Sequence, residues 1–505
     1  MENLSYELLK RQGYRGYLVP QDAPEKVLQI GEGNFLRAFV DCYFDLANEK
    51  SGWNGKIVMI QPIKSSPRFS DEFNKQQGLY TVLVRGKLNG KTYNEPRIIS
   101  SCSRSLYPFR HEDYEELLDV VRSDDLEIVV SNTTEAGIAY DPSCKPGDEP
   151  PASFPAKLAQ LLHVRWSAHK APVIILSCEL IDHNGAELLK IVKRYCADWG
   201  WEDEFVFWLE NDCTFCTTLV DTIVPGRIRD PKEAEQVTEK LGYEDPFLSV
   251  REPFQMWGIQ GDDKLAEKLP FIQAEIPGAF VTDDVAPYKK RKVRILNGAH
   301  TGFAPGAWLA GFNIVRDCMH DEVVSGFMKS VLHDEIIPVL TADLDKDDLE
   351  KFASEVEDRF DNPYIDHQLL SICLNSTAKW RVRDLVSLKD YVEQKGRLPT
   401  CLTMSLAAVI AFYTTGYKRL DDRGLELERA DGTGYTAQDD PAVLKFYAEH
   451  HADSDGDLVK AVLSNQDFWG EDLTTIAGLQ DQVTKDLSFI RANGTEQAFA
   501  QCLQK

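Results

Sequence analysis

Short apolar runs separated by polar turns mark the first half of the chain, and helical periodicity takes over in the second. Val27, Leu28 and Ile30 form a run of strand length that ends in Gly31-Glu32-Gly33-Asn34-Phe35-Leu36-Arg37. Behind that turn Leu36, Phe39, Val40, Tyr43, Phe44 and Ala47 repeat at the spacing of an amphipathic helix. Residues 56–60, 126–130 and 172–176 are further buried-strand candidates. Residues 80–85 and 92–93 flank Asn89-Gly90, a strong hairpin signal. Residues 1–24 read as a polar lead-in ending at Pro24. After Ile276-Pro277-Gly278 the strand pattern fades, and residues 324–340, 369–379, 402–413 and 442–447 predict a helical layer. Residues 419–440, rich in Asp, Arg and Gly, read as a surface loop. The expected fold class is α/β, an N-terminal Rossmann-like doubly wound sheet with an inserted hairpin, followed by a mainly α-helical C-terminal domain. The boundary is placed near residue 280, giving domains 1–280 and 281–505.

Composition adds bounds to this picture. A chain of 505 residues with 43% hydrophobic and 27% charged residues is that of a globular protein with more than one core. No run of eighteen apolar residues and no signal-peptide pattern is visible, so a cytoplasmic protein without a membrane partner is expected. A net charge of −25 argues against nucleic-acid binding and requires any anionic substrate to meet locally placed cations. Eleven scattered cysteines fit reduced thiols, and Cys213 and Cys216, the single C-x2-C, lack the second pair a zinc site needs, so no metal is expected.

Candidate chemistry concentrates in a few places. Strand, glycine turn and helix are the context of a dinucleotide fingerprint, with Gly31 making the tight turn and Gly33 allowing close approach of a pyrophosphate. Leu36 stands where the third glycine usually is. No acid follows residues 56–60 until Asp71, while Lys64, Ser65 and Arg68 are compatible with a 2′-phosphate, which leaves NADP open beside NAD. Ser131-Asn132-Thr133-Thr134-Glu135-Ala136-Gly137 ends another strand and points to the cofactor crevice, or is a simple strand-ending turn. Lys292, Asn297 and His300 lie within nine residues. At ~100° per residue on a regular helix, Asn297 and His300 are i, i+3 neighbours and Lys292 and His300 are about 80° apart. A lysine partly desolvated beside other cations is a usable general acid/base. The stretch also reads as a basic turn entering a buried helix.

Lys292-x4-Asn297-x2-His300 resembles the signature of the polyol-specific long-chain dehydrogenase family, which includes mannitol 2-dehydrogenase and the hexuronate reductases. The resemblance extends over nearly the whole chain. Gly31-x-Gly33-Asn34-Phe35-x-Arg37-Ala38, the 131–137 stretch, Val220-Asp221, Glu252-Pro253-Phe254-Gln255-Met256-Trp257 and Asn362-Pro363-Tyr364-Ile365-Asp366-His367 all fit it. It implies an NAD-dependent oxidoreductase with Lys292 as general acid/base and with Asn297 and His300 polarising the reacting oxygen. It further implies cofactor contacts from Ile30, Gly31, Glu32, Gly33, Asn34, Phe35, Arg37, Asn132, Thr133 and Glu135, and substrate contacts from Asp221 and Lys379. Leu180 and Ser371 replace an asparagine and an arginine of the polyol enzymes, and Thr222 replaces another arginine. Those departures, with Cys178-Glu179-Leu180-Ile181-Asp182, resemble the hexuronate-reductase branch. The implied partner is a small sugar acid whose carboxylate would meet Lys379, Arg381 or Arg383. The protein is expected to be a monomer or small homo-oligomer. Another substrate within the same family, the hexuronate epimer fructuronate or a neutral polyol such as mannitol, a catalytically inactive nucleotide-binding sensor and a metal-dependent lyase are the rival readings.

Overall fold

A computed structural model describes residues 1–134 and 136–504. The chain divides into two compact units, Met1–Arg85 with Thr92–Val285, and Gly86–Lys91 with Ala286–Lys505.

The first unit is built on strands β1 (Glu25–Ile30), β2 (Lys56–Ile60), β3 (Tyr80–Leu88), β4 (Lys91–Ile99), β5 (Cys102–Leu106), β6 (Ile128–Ser131), β7 (Ile174–Ser177), β8 (Thr214–Asp221), β9 (Ser249–Arg251), β10 (Met256–Gln260) and β11 (Ala279–Thr282). Among the described residues an eight-stranded sheet runs β11-β10-β8-β7-β6-β1-β2-β5. Its pairs from β5 through β8 are parallel, and β10 joins β8 antiparallel. Helices cover both faces, which is why the central strands read as unbroken apolar runs. Val27, Ile128 and Val130 face a core with Phe39, Tyr43, Phe44 and Trp257. Leu28, Ile30 and Val129 face a second core with Leu117, Leu158, Leu188 and Phe205.

The sheet order changes direction at β1, whose two neighbours are β2 and β6. Ile30 pairs with Ser131, so the turns after β1 and β6 leave the sheet side by side. In doubly wound sheets that is where ligands bind.

Three sequence expectations are corrected here. The polar lead-in contains the helix Tyr6–Gln12, started by Ser5, whose side chain accepts from the Leu8 N–H, and anchored by buried Leu8 and Leu9. The helix behind the glycine turn is two segments, Asn34–Ala38 and Val40–Ser51. They meet at Phe39, whose φ of −115° and ψ of −71° depart from helical values, beside the Tyr80 hydroxyl, which lies 2.6 Å from Asp41 Oδ2 and 2.9 Å from Arg37 O. The third correction concerns residues 419–440, which form strands β12 (Arg419–Asp421), β13 (Gly424–Glu428) and β14 (Gly434–Ala437) in one antiparallel sheet. Leu425 and Leu427 on β13, with Tyr435 and Ala437 on β14, are buried.

The hairpin of β3 and β4 turns at Asn89 and Gly90, whose φ values of 52° and 71° are those of a type I′ turn. Its tip belongs to the second unit, where Lys87 pairs with Asp361 at 2.7 Å and the Gly90 N–H donates to Asp358 at 2.8 Å.

The rest of the second unit is mainly helical. Helix Thr400–Thr414 is buried from Cys401 to Thr414, and it packs against Gly298–Leu309, Leu479–Asn493 and Thr495–Cys502. Its first turn is capped by buried Glu335, whose carboxylate accepts the N–H groups of Cys401 and Leu402 at 2.7 Å each. No helix among the described residues is long and apolar enough to cross a membrane. All eleven cysteines are buried free thiols.

Candidate functional site

In the first unit the turn after β1 depends on glycine chemistry. Gly31 has φ of 129°, outside the range of ordinary side chains, and its N–H donates to Ile60 O at 3.0 Å. A Cβ there would lie 2.8 Å from Leu36 Cδ1 and 3.6 Å from the carbonyl of Asn132. The backbone of this turn is therefore held close to the end of β6. Gly33 caps the short helix with extended backbone and no side chain over its first N–H groups. Arg37 is buried, and its donors brace the turn and tie it to a distant segment: Nε reaches Glu32 O at 3.0 Å, one terminal nitrogen reaches Phe247 O at 2.6 Å, and the other reaches Asn34 Oδ1 at 2.7 Å. Burial raises the Glu32 carboxyl above its ordinary range.

The loop after β6 has an anchor that sequence reasoning missed. Glu179, directly beyond β7 and only 1% exposed, accepts from the Thr133 N–H at 3.0 Å and the Thr133 hydroxyl at 3.1 Å. Burial raises its carboxyl, and the Thr133 N–H opposes that rise. Its one sequence signal was an acid immediately after a buried strand. Asn132 and Thr133 are half-buried at this loop, and Glu135 lies outside the described residues. Asp221 closes β8 and is buried. Beyond β2, Lys64 and Ser65 are exposed, and Arg68 pairs with Glu72 at 2.7 Å. Gln61 takes the strand-end position, where its carbonyl accepts the Ser70 hydroxyl at 2.7 Å.

In the second unit, Lys292 ends the helix Ala286–Lys292, and Asn297 ends a π-helical turn, Val293–Asn297. His300 lies in the first turn of the helix Gly298–Leu309. The Gly298 N–H reaches Val293 O, an i−5 acceptor. This corrects the regular-helix geometry assumed from spacing. A turn closed on the fifth residue is wider than 3.6 residues per turn, so it brings Asn297 and Lys292 closer around the axis than the about 140° that ~100° per residue would give. Such insertions occur often at functional sites. Lys292 and Asn297 are half-buried, and His300 is 9% exposed.

The His300 imidazole stacks on Phe360 with centroids 4.0 Å apart and meets His367 edge-on at 5.1 Å. Its Nε2 is buried with no hydrogen-bond partner among the described residues. Burial, then the charges of His367, Arg359, Arg383 and Lys379, hold its basicity well below the usual histidine range, so the ring is neutral at pH 7. Lys379 and Arg383 are i, i+4 neighbours in the first turns of Ser376–Lys395. Lys379 Nζ donates to Ile372 O at 2.9 Å, and Arg383 donates to Thr301 Oγ1 at 2.8 Å. Burial, and next the Arg383 charge, lower the basicity of Lys379. Arg381, midway between them, is exposed on another side of the helix, with its guanidinium carbon 3.1 Å from where a Gly470 Cβ would stand. The structure thus gathers His300, Lys379 and Arg383 and leaves Arg381 outside. Among the described residues no group of His, Cys, Asp or Glu has the arrangement to hold a metal ion.

Two family models match the chain, the mannitol dehydrogenase Rossmann domain over residues 25–273 and the mannitol dehydrogenase C-terminal domain over residues 284–491. The chain belongs to the mannitol dehydrogenase family. Among curated relatives, an altronate oxidoreductase of Enterobacter sp. (strain 638) is 43% identical over 505 residues, covering 98% of this chain and 99% of that one. An altronate oxidoreductase of Cronobacter sakazakii is 44% identical over 489 residues, covering 94% and 96%. Among solved structures, D-sorbitol dehydrogenase in substrate-free form aligns with a TM-score of 0.80 at 22% identity, over 98% of this chain and 100% of that one. Mannitol 2-dehydrogenase of Pseudomonas fluorescens, a ternary complex with NAD and D-mannitol, aligns with 0.67 at 22% identity over the whole of both chains. At that identity the two structures speak for the fold: a Rossmann-like sheet with a helical C-terminal region.

Proposed function

We propose that this protein is a nicotinamide-dependent, metal-independent oxidoreductase that interconverts D-tagaturonate and D-altronate. One observation carries the reading most directly. In a run that also holds Lys292 and Asn297, the neutral His300 keeps a buried ring nitrogen without a protein partner, beside Lys379 and Arg383. A buried polar atom left unmatched costs free energy, about 1–3 kcal/mol, unless a ligand satisfies it. The relatives named altronate oxidoreductase, similar over nearly their full length, supply the substrate class. Leu180 and Ser371 favour a sugar acid over a neutral polyol.

The turn after β1 fits a dinucleotide, because Gly31 and Gly33 present backbone without side chains at the switch point of the sheet. Ile30, Gly31, Glu32, Gly33, Asn34 and Phe35 would hold it, with Arg37 keeping the turn in shape. Asn132 and Thr133 would border the ring end, Thr133 fixed by Glu179, and Glu135 is assigned there from its motif. When bound, the reduced nicotinamide supplies hydride to the carbonyl carbon. Lys292, as ammonium, gives its proton to the oxygen as the C=O bond becomes C–O–H, and in oxidation takes it back as the amine. Asn297 and His300 donate hydrogen bonds to that oxygen as negative charge develops on it. Asp221 would bond a substrate hydroxyl.

The test follows NADH and NADPH absorbance separately with tagaturonate, fructuronate and fructose. Oxidation of a reduced cofactor with tagaturonate in preference to the other two is expected. Preference for fructuronate or fructose would overturn the substrate and keep the chemistry. No oxidation with any of the three would overturn the reductase reading and favour an inactive nucleotide-binding protein.

A further inference from the structure

The chain carries 81 acidic and 56 basic side chains, so an unmatched cation is unusual in it. Most arginines with little exposure are paired or committed to carbonyls. Arg294, for example, holds Asp390 at 2.8 Å, and Arg165 donates to four backbone carbonyls. Lys379 and Arg383 depart from that rule. They sit one helical turn apart, both half-buried, and neither forms an ion pair among the described residues. The carboxylates that act on them, Asp439 on Lys379 and Asp384 on Arg383, lie beyond ion-pair distance. Two adjacent cations repel each other, and holding both in a partly dry place beside neutral His300 favours an anion.

The two are not equivalent. Lys379 presents a single charged nitrogen already bonded to Ile372 O. Arg383 presents a planar fork with one terminal nitrogen fixed by Thr301, the residue after His300, while its other donors make no hydrogen bond among the described residues. A fork anchored on one side and open on the other suits the two oxygens of a carboxylate, as a point charge does not. We propose that Arg383, held by Thr301, receives the carboxylate of the sugar-acid substrate and so selects acids over neutral ketoses, with Lys379 adding charge beside it. The assignment rests on the proposed sugar-acid reading and narrows it to one residue.

The test compares kcat/KM for tagaturonate and for tagatose, its uncharged analogue, in wild type, Arg383→Gln and Arg383→Lys, with thermal melting to verify folding. The ratio of the two values, acid over neutral, is expected to fall about 10- to 100-fold in Arg383→Gln, the range of a charge-assisted hydrogen bond. The loss should lie mainly in KM, and Arg383→Lys should recover part of it by restoring charge without the fork. An unchanged ratio in a folded Arg383→Gln, with wild type preferring the acid, would overturn the Arg383 assignment alone. Wild type that turns over neither compound, or prefers tagatose, would overturn the sugar-acid reading and this inference with it. Should Arg383→Gln not fold, Arg383→Lys decides: a ratio equal to that of wild type overturns the assignment, and a lowered ratio supports it.

Discussion

His300 lies flat against Phe360, ring centroids 4.0 Å apart and planes 22° from parallel. One face of the imidazole is thus sealed by hydrocarbon, and the charges around it are positive. His367, edge-on to it, is also held below the histidine range, by burial and then by Lys379. Both rings stay neutral in the folded chain at pH values where they are protonated in the unfolded one. The unfolded chain therefore binds more protons below its own value of 6.5, and stability is lost as pH falls through 6.5. Denaturant unfolding from pH 8 to pH 5 should show this loss, and His367→Gln should flatten it. A slope unchanged in His367→Gln would contradict the assignment.

Asp384 presents the opposite sign. It is fully buried against the catalytic-helix candidate, 3.1 Å from where a Gly298 Cβ would stand, and neither carboxyl oxygen has a hydrogen-bond partner among the described residues. Burial raises its carboxyl well above 3.8, against the pull of Arg383 and Arg294. Here the folded chain holds the extra proton, so stability is greatest below 3.8 and declines as pH rises toward the folded value. Asp384→Asn removes the ionisation without changing shape. It is expected to be more stable than wild type at pH 8 by about 1 kcal/mol or more, and equal to it in acid. Chemical denaturation at the two pH values checks both halves of the statement.

Glu335 connects two helical segments of the second unit. Its carboxylate accepts the first N–H groups of the buried helix Thr400–Thr414, where water has no access to replace it. Burial pushes the Glu335 carboxyl up to about 7, so above that pH Glu335→Ala should cost about 1.5–3 kcal/mol, the range for hydrogen bonds to a charged group, and Glu335→Gln should cost less because one acceptor oxygen remains. Melting temperatures and denaturant midpoints of the two variants give the order.

Gly31→Ala tests the turn beyond β1. The new methyl group would have to occupy a φ of 129° and press on Leu36 Cδ1 at 2.8 Å. Strain of about 1–3 kcal/mol is expected. Fluorescence titration with NADH should show at least tenfold weaker binding. Wild-type affinity in this variant would contradict the assignment of the turn to the cofactor.

The sheet was legible because its central strands are buried on both faces, which leaves continuous runs such as Ile57, Val58, Met59 and Ile60. The small sheet of β12 to β14 was not legible. Its strands are three to five residues long and its buried alternation rests on four side chains among Asp, Arg and Gly. The motif residues were legible as motifs, but their geometry was not, because the π turn at Val293–Asn297 breaks the 3.6-residue period on which spacing arguments rest. Asp384 carried no sequence signal of its own, and Glu179 carried one, an acid just after a buried strand, that did not give its role. What distinguishes them is burial and the chain segments packed on them, and both are tertiary facts.

The most direct measurement compares wild type with Lys292→Ala in two assays on the same preparations: NADH binding, and the rate of NADH oxidation with tagaturonate across pH 6 to 10. Lys292 as general acid/base requires NADH affinity within a few-fold of wild type and a rate lower by about 10²–10⁴, with the wild-type pH dependence of the chemical step gone. A Lys292→Ala enzyme that binds NADH and retains both the rate and the pH profile of wild type would contradict the account at its centre.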